Sequence, residues 1–151
     1  MLSLQEISDR IELQQLLHEY AGAIDAKEFD RLDAVFTPDA DIDYRVFGGI
    51  AGSYPEVKVW LGKVLSTFPA YQHMIGNMEI SIAGDQASGR VMCLNPMAFP
   101  GKDGTVQMGF FGFWYVDTYT RTASGWRIRS RREEKSFDYN VPTERAAPAT
   151  P

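Results

Sequence analysis

Basic charge, cysteine, histidine and long apolar runs are all scarce in this chain. Its 151 residues carry 15 Lys+Arg against 20 Asp+Glu, a formal charge of −5, so the cationic excess that binding to phosphate backbones requires is missing and no polyanionic partner is expected. The single cysteine, Cys93, excludes an internal disulfide. Together with two histidines, His18 and His73, it leaves too few ligands for a structural zinc site. Apolar stretches between charges are too short to cross a bilayer. The start Met1-Leu2-Ser3-Leu4-Gln5-Glu6 has neither the basic opening nor the apolar core of a signal peptide. A cytoplasmic protein is expected. Glycine-rich phosphate loops, a Ser nucleophile elbow and a Cys–His pair of known spacing are missing too, so covalent and nucleotide chemistry lack support.

What is present is 44% hydrophobic residues, enough for one globular core over residues 1–145. The tail Ala146-Ala147-Pro148-Ala149-Thr150-Pro151 has nothing to bury and is expected to be mobile. Ser3-Leu4-Gln5-Glu6 is a capping box. Behind it Ile7, Ile11, Leu13, Leu16, Leu17, Tyr20 and Ile24 recur at helical spacing, predicting a helix to about Ala26. A shorter helical pattern carries Phe29, Leu32, Val35 and Phe36 and stops at Thr37-Pro38-Asp39. Asp41 to Val46 alternates as a half-buried strand with Ile42, Tyr44 and Val46 on one face, and puts Asp39, Asp41 and Asp43 outside. Ser53-Tyr54-Pro55-Glu56 starts a third helix, with Val57, Trp60, Leu61, Val64, Leu65 and Phe68 as its stripe. Four strands follow at about 71–82, 86–98, 105–121 and 126–138, with turns at Gly84-Asp85 and Ser124-Gly125. Long aromatic strands need cover, and only the amphipathic helices can supply it. The expected class is α+β: three N-terminal helices on a strongly curved, mostly antiparallel sheet that encloses a pocket.

The helix end Tyr20-Ala21-Gly22-Ala23-Ile24-Asp25-Ala26-Lys27-Glu28-Phe29-Asp30-Arg31-Leu32, the strand Ile42-Asp43-Tyr44-Arg45-Val46-Phe47, the run Tyr71-Gln72-His73-Met74-Ile75-Gly76-Asn77 and the late Gly125-Trp126-Arg127-Ile128 resemble the cone-shaped fold of nuclear transport factor 2. Within that fold they resemble its SnoaL-like and scytalone-dehydratase-like members, over nearly the whole chain. In scytalone dehydratase and in hexachlorocyclohexane dehydrochlorinase the positions matching Asp25 and His73 form a catalytic pair. The position matching Tyr44 is also used in the scytalone enzyme. Two departures weaken a direct transfer of substrate. Where that enzyme has a second catalytic histidine this chain has Asn95-Pro96-Met97, and where it holds substrate hydroxyls rough alignment gives Phe113 and Tyr115. The Asp-Arg-Asp arrangement of limonene epoxide hydrolase has no counterpart.

The residues themselves point the same way. His73 begins an apolar strand and needs a partner if buried, and Asp25, among Ile24, Ala26 and Phe29 at a helix end, is placed to accept its Nδ1 proton. Asp25 then orients and His73 acts as base. Tyr20 and Tyr44 are candidate phenolic donors, and Arg131, Met97, Phe113 and Tyr115 are candidate substrate-binding residues. Arg127, Arg129 and Arg131 are read as one face of the last strand, with Glu133 and Glu134 on a solvated edge. His18 is read as surface. The expected activity is cofactor-independent and metal-free: a dehydratase-like lyase on an apolar or aromatic substrate. C–C cleavage, enolisation, and a non-catalytic binding module are the alternatives. The strand 105–121 carries Met108, Phe110, Phe111, Phe113, Trp114, Tyr115 and Tyr119, sticky on both faces, which predicts a homo-oligomer. The resemblance favours a trimer over a dimer.

Overall fold

The structure is a computed structural model that describes residues 1–101 and 103–143. The expected tail 146–151 lies outside the described residues. Helix α1 (Leu4–Asp25) starts where the sequence indicates, Ser3 and Glu6 exchanging their two capping hydrogen bonds at 3.1 and 2.8 Å. Its buried line is Asp9, Leu13, Leu16, Leu17, Tyr20 and Ile24. Ile7 and Ile11, expected in that line, are exposed instead. Their place is taken by Asp9, whose carboxylate receives two bonds from Arg121 (2.7 and 2.8 Å) and one from the Trp126 indole (3.2 Å). The Arg121 bonds hold that carboxyl down at about 2, so a charge within the buried stripe is matched rather than stranded.

A 3₁₀ helix (Phe29–Ala34), not an α-helix, fills the second helical pattern. Strand β1 (Phe36–Asp43) begins earlier than expected, taking in Thr37-Pro38-Asp39. Pro38 is tolerated because the pairing of β1 with β6 is interrupted between Phe36 and Asp41. The chain leaves β1 at Tyr44 and turns through a 3₁₀ segment (Arg45–Phe47) closed by Gly48 at φ 83°. Val46, expected on the strand's inner face, is therefore exposed. A short β2 (Ala51–Ser53), not foreseen, leads into α2 (Tyr54–Leu65), where the Ser53 amide and hydroxyl both donate to Glu56.

Strands β3 (Met74–Ala83), β4 (Gln86–Pro100), β5 (Val106–Thr122) and β6 (Gly125–Tyr139) complete a six-stranded sheet in the order β2-β1-β6-β5-β4-β3. Every neighbouring pair is antiparallel except β1 with β6. The helices cover one face, and the core between them is built from Leu13, Leu17, Leu32, Val57, Tyr119 and Ile128 with their neighbours. Two single-residue bulges in β6 bend the sheet, at Arg129 and at Ser136. The first reverses the expected alternation. Trp126 and Ile128 point inward, Arg127 and Arg129 do not, and after the extra residue Arg131 turns into the core. The three arginines thus do not share a face. No helix among the described residues is long and apolar enough to cross a membrane.

Candidate active site

Asp25 is the last residue of α1, where the carbonyl end of the helix dipole disfavours an anion by about 0.3–1 kcal/mol. The helix stops there because Lys27 adopts a left-handed conformation (φ 58°) and the Glu28 amide folds back onto the Ala23 carbonyl at 2.9 Å. Three hydrogen-bond contacts compensate Asp25. The His73 backbone amide donates to both carboxylate oxygens (3.1 and 3.0 Å), and the His73 Nδ1 lies 2.7 Å from Oδ1. With Asp25 ionised, Nδ1 carries the ring proton and Nε2 presents its lone pair.

The segment that carries His73 runs alongside β4 in unbroken register, with Tyr71 opposite Met97 and Met74 opposite Leu94. Gln72 donates to the Pro96 carbonyl at 3.1 Å, the first half of an antiparallel pair. Pro96 has no N–H to return the second. The Asn95 side chain supplies it, donating to the Gln72 carbonyl at 2.8 Å. Asn95 therefore anchors the strand one residue before His73. Tyr71, whose hydroxyl donates to the Ile24 carbonyl at 2.9 Å, ties the same segment to α1 from the other side.

The imidazole is mostly buried and meets Tyr20 and Tyr71 edge-on, with ring centroids 6.4 and 6.0 Å away. Among the described residues Nε2 has no hydrogen bond. The Tyr20 and Tyr44 hydroxyls share one hydrogen bond of 2.9 Å. Burial raises the pKa of Tyr20, Tyr44 and Tyr115, so all three are neutral O–H groups. Burial likewise pushes the Cys93 thiol up to about 12, which keeps it from acting as a thiolate.

Arg131 is 2% exposed, but its charge is taken: Nε and Nη2 donate to Asp117 at 2.8 and 2.7 Å. Its guanidinium packs against Tyr20 (4.2 Å to the centroid) and Tyr115 (3.8 Å), two rings that stand edge-on to one another. Only Nη1 remains, and it joins Trp60 Nε1 and Thr37 Oγ1 as a buried polar atom without a partner among the described residues. Phe113 packs at 5.0 Å on Tyr115 and at 5.3 Å on Phe47, while Met97 is buried opposite Tyr71. Two surface depressions lie away from all of this, one near Ser3, Asp9 and Arg121 and one on the outer face near Glu79 and Thr118. The imidazole stands against the Tyr20 and Tyr71 rings, and its side chain keeps 8% exposure.

Glu133 and Glu134, read as a solvated edge, part company. Glu134 pairs outside with Arg90 and Arg132 at 3.2 and 2.7 Å, whereas Glu133 faces inward opposite Tyr115. Glu133 escapes sequence reading because the bulge at Arg129 sets its face, and a bulge of this kind has no residue signature; Asp117 lies on the inward alternation of β5 with Phe113, Tyr115 and Tyr119, and the sequence reading passed it over. His18 is exposed, as read. Among the described residues no group of three or more His, Cys, Asp or Glu could hold a metal.

The SnoaL-like domain family matches residues 5–132. The chain belongs to that family. An uncharacterized protein of Mycobacterium tuberculosis (strain ATCC 25618 / H37Rv) is 56% identical over 137 residues, covering 91% of this chain and 92% of that one. Among solved structures, a candidate scytalone dehydratase of Novosphingobium aromaticivorans superposes with a TM-score of 0.79 at 16% identity, covering 95% of this chain and 94% of that one. A type 2 hexachlorocyclohexane dehydrochlorinase superposes with a TM-score of 0.79 at 18% identity, covering 97% of each. At such identities the two structures show the shared fold.

Asn95→Ala removes the donor that Pro96 cannot provide. The expected cost is about 1–3 kcal/mol in urea denaturation, the range for a buried acceptor left unpaired. Amide exchange at His73 should accelerate more than exchange in α2; equal acceleration in both elements would contradict a local anchoring role.

Proposed function

We propose that this protein is a cofactor-independent lyase in which His73 removes a proton from a carbon acidified by a neighbouring carbonyl or aromatic ring and a β-hydroxyl departs. The observation that carries the reading is the Asp25–His73 contact, 2.7 Å at Nδ1 with Nε2 left unbonded, against a Tyr20 ring whose hydroxyl bonds to Tyr44. Asp25 fixes the tautomer and stabilises the imidazolium that forms. The phenols of Tyr20 and Tyr44 are donors for the oxygen on which charge develops; preorganised donors of this kind contribute about 10²–10³-fold each. The interior favours an apolar or aromatic substrate, because Phe113, Tyr115 and Phe47 line it and the one cation there is neutralised by Asp117. Arg131 then binds substrate through Nη1 and ring stacking rather than through its net charge, with Met97 lining the same interior.

His73→Gln is expected to lower turnover of an aromatic β-hydroxy ketone by about 10²–10⁴-fold, with the fold retained by circular dichroism. An unchanged rate would sink the lyase reading and leave the non-catalytic binding module.

The outer face of β4 and β5 exposes Met92 and Met108, with Phe110 and Trp114 half-buried between them. Covering that apolar surface supports a homo-oligomer, three subunits preferred. Light scattering at micromolar concentration should give a multiple of 17.0 kDa; the mass of one chain would contradict the assembly.

A further inference from the structure

Asp25, His73 and the two phenols leave one carboxyl of the interior without a task. Glu133 stands directly opposite Tyr115 in the β5–β6 pair, two residues beyond Arg131, which stands opposite Asp117. Directly opposed residues of an antiparallel pair project from the same face. Tyr115 and Asp117 are each 1% exposed, so that face is the interior, and Glu133 itself is half-buried at its edge. Tyr44 follows the Asp43–Arg132 register of β1 with β6 and flanks Glu133 from the other strand. Among the described residues no hydrogen bond reaches the Glu133 carboxyl.

The titratable groups near enough to act on it are Tyr20 from α1, Tyr44 after β1, Cys93 from β4, Tyr115 from β5 and Arg131 from β6, with Asp43, the partner of Arg132, acting from the outer face. Asp43 is a second anion, and the Arg131 charge is turned toward Asp117. Lys135, the next inward register position on β6, is bound to Asp138. Burial therefore dominates: it pushes the Glu133 carboxyl up to about 8, with Arg131 pulling down and Asp43 adding a smaller push upward. Tyr20 stands between the two titratable groups, its ring edge-on to His73 and its hydroxyl bonded to Tyr44 beside Glu133. Trp60, with its unpartnered Nε1, lies 6.5 Å from the Tyr44 ring.

We propose that Glu133 is the acid partner of His73, giving its proton to the departing oxygen of the substrate. The proposal rests on the lyase reading above. His73 Nε2 takes the proton from carbon, and the C–H electron pair becomes the new C=C bond. The C–O bond breaks with its pair on oxygen, and that oxygen takes the Glu133 proton and leaves as water. One imidazolium and one carboxylate remain, and transfer of one proton from His73 to Glu133 through solvent restores both. A base and an acid held apart by their surroundings is the arrangement that lets one site run both halves of an elimination. Because Glu133 must be protonated to act, dehydration should fall as pH rises through about 8.

The test uses two probes, β-hydroxypropiophenone, whose hydroxyl needs a proton to leave, and β-chloropropiophenone, whose chloride does not. Glu133→Gln, checked for folding by circular dichroism and accompanied by Glu133→Asp, is expected to slow the β-hydroxy ketone by about 10²-fold or more. Its effect on the β-chloro ketone is expected to be at least about tenfold smaller, and Glu133→Asp should restore part of the loss. Independently, ¹³C NMR of glutamate-labelled protein should show one side-chain carboxyl, missing in Glu133→Gln, that titrates near 8. A Glu133 carboxyl titrating near the ordinary value of about 4.3 would overturn the proposal, as would equal losses on the two ketones. If His73→Gln leaves both rates intact, the lyase reading fails while the Glu133 titration stands on its own. A native protein that turns over neither ketone overturns both readings.

Discussion

A carboxylate at the wrong end of a helix is the constraint around which this molecule is arranged. Asp25 ends α1, where the dipole repels it, no basic residue shares the last turn, and the next turn requires a left-handed lysine. Left alone, that helix end would be destabilised by about 1–2 kcal/mol from Lys27 in addition to the dipole term. It is stabilised by the residue just before β3, His73, whose amide and ring both bond to the carboxylate. Helix and sheet are thereby joined at one point by charge-assisted hydrogen bonds, and the same contact fixes which imidazole nitrogen is free. A local conflict resolved by a distant partner is where function is expected, because nothing in packing alone would select it.

The sheet cooperates by irregularity. Pro96 leaves one bond to the segment 71–73 unmade, and Asn95 supplies it, which holds His73 in register beside α1. The bulge at Arg129 adds one residue to β6 and so swings Arg131 and Glu133 inward. Arg131 is buried with Asp117 meeting it by two bonds and the mutually edge-on rings of Tyr20 and Tyr115 packed against it. Those same rings pack around the two phenolic hydroxyls. Polar chemistry thus sits among aromatic rings.

The parts of this account visible in the sequence are local ones. Both capping boxes, Ser3 with Glu6 and Ser53 with Glu56, are read from four residues each and start their helices as read. The α+β class and the three helices under a curved sheet follow from the change of period after Tyr71. Asp25 and His73, singled out by the family pattern and by the need of a buried imidazole for a partner, lie in contact. What the sequence conceals depends on pairing between distant strands. Asp9 occupies a buried helical position that looks apolar until Arg121 and Trp126 arrive from β5 and β6. Tyr44 leaves its strand one residue early yet still meets Tyr20, and the inward turn of Glu133 hangs on one extra residue in β6.

Whether His73 is a carbon base is tested most directly with a ketone that has an acidic carbon and no leaving group. Propiophenone incubated with the protein in deuterium oxide and followed by proton NMR reports removal of the α-hydrogens alone, independent of any later bond breaking. The account predicts that the native protein accelerates exchange above buffer, that Asp25→Asn weakens this acceleration, and that His73→Gln abolishes it. Exchange that proceeds equally with His73→Gln, or no exchange with the native protein, would contradict it.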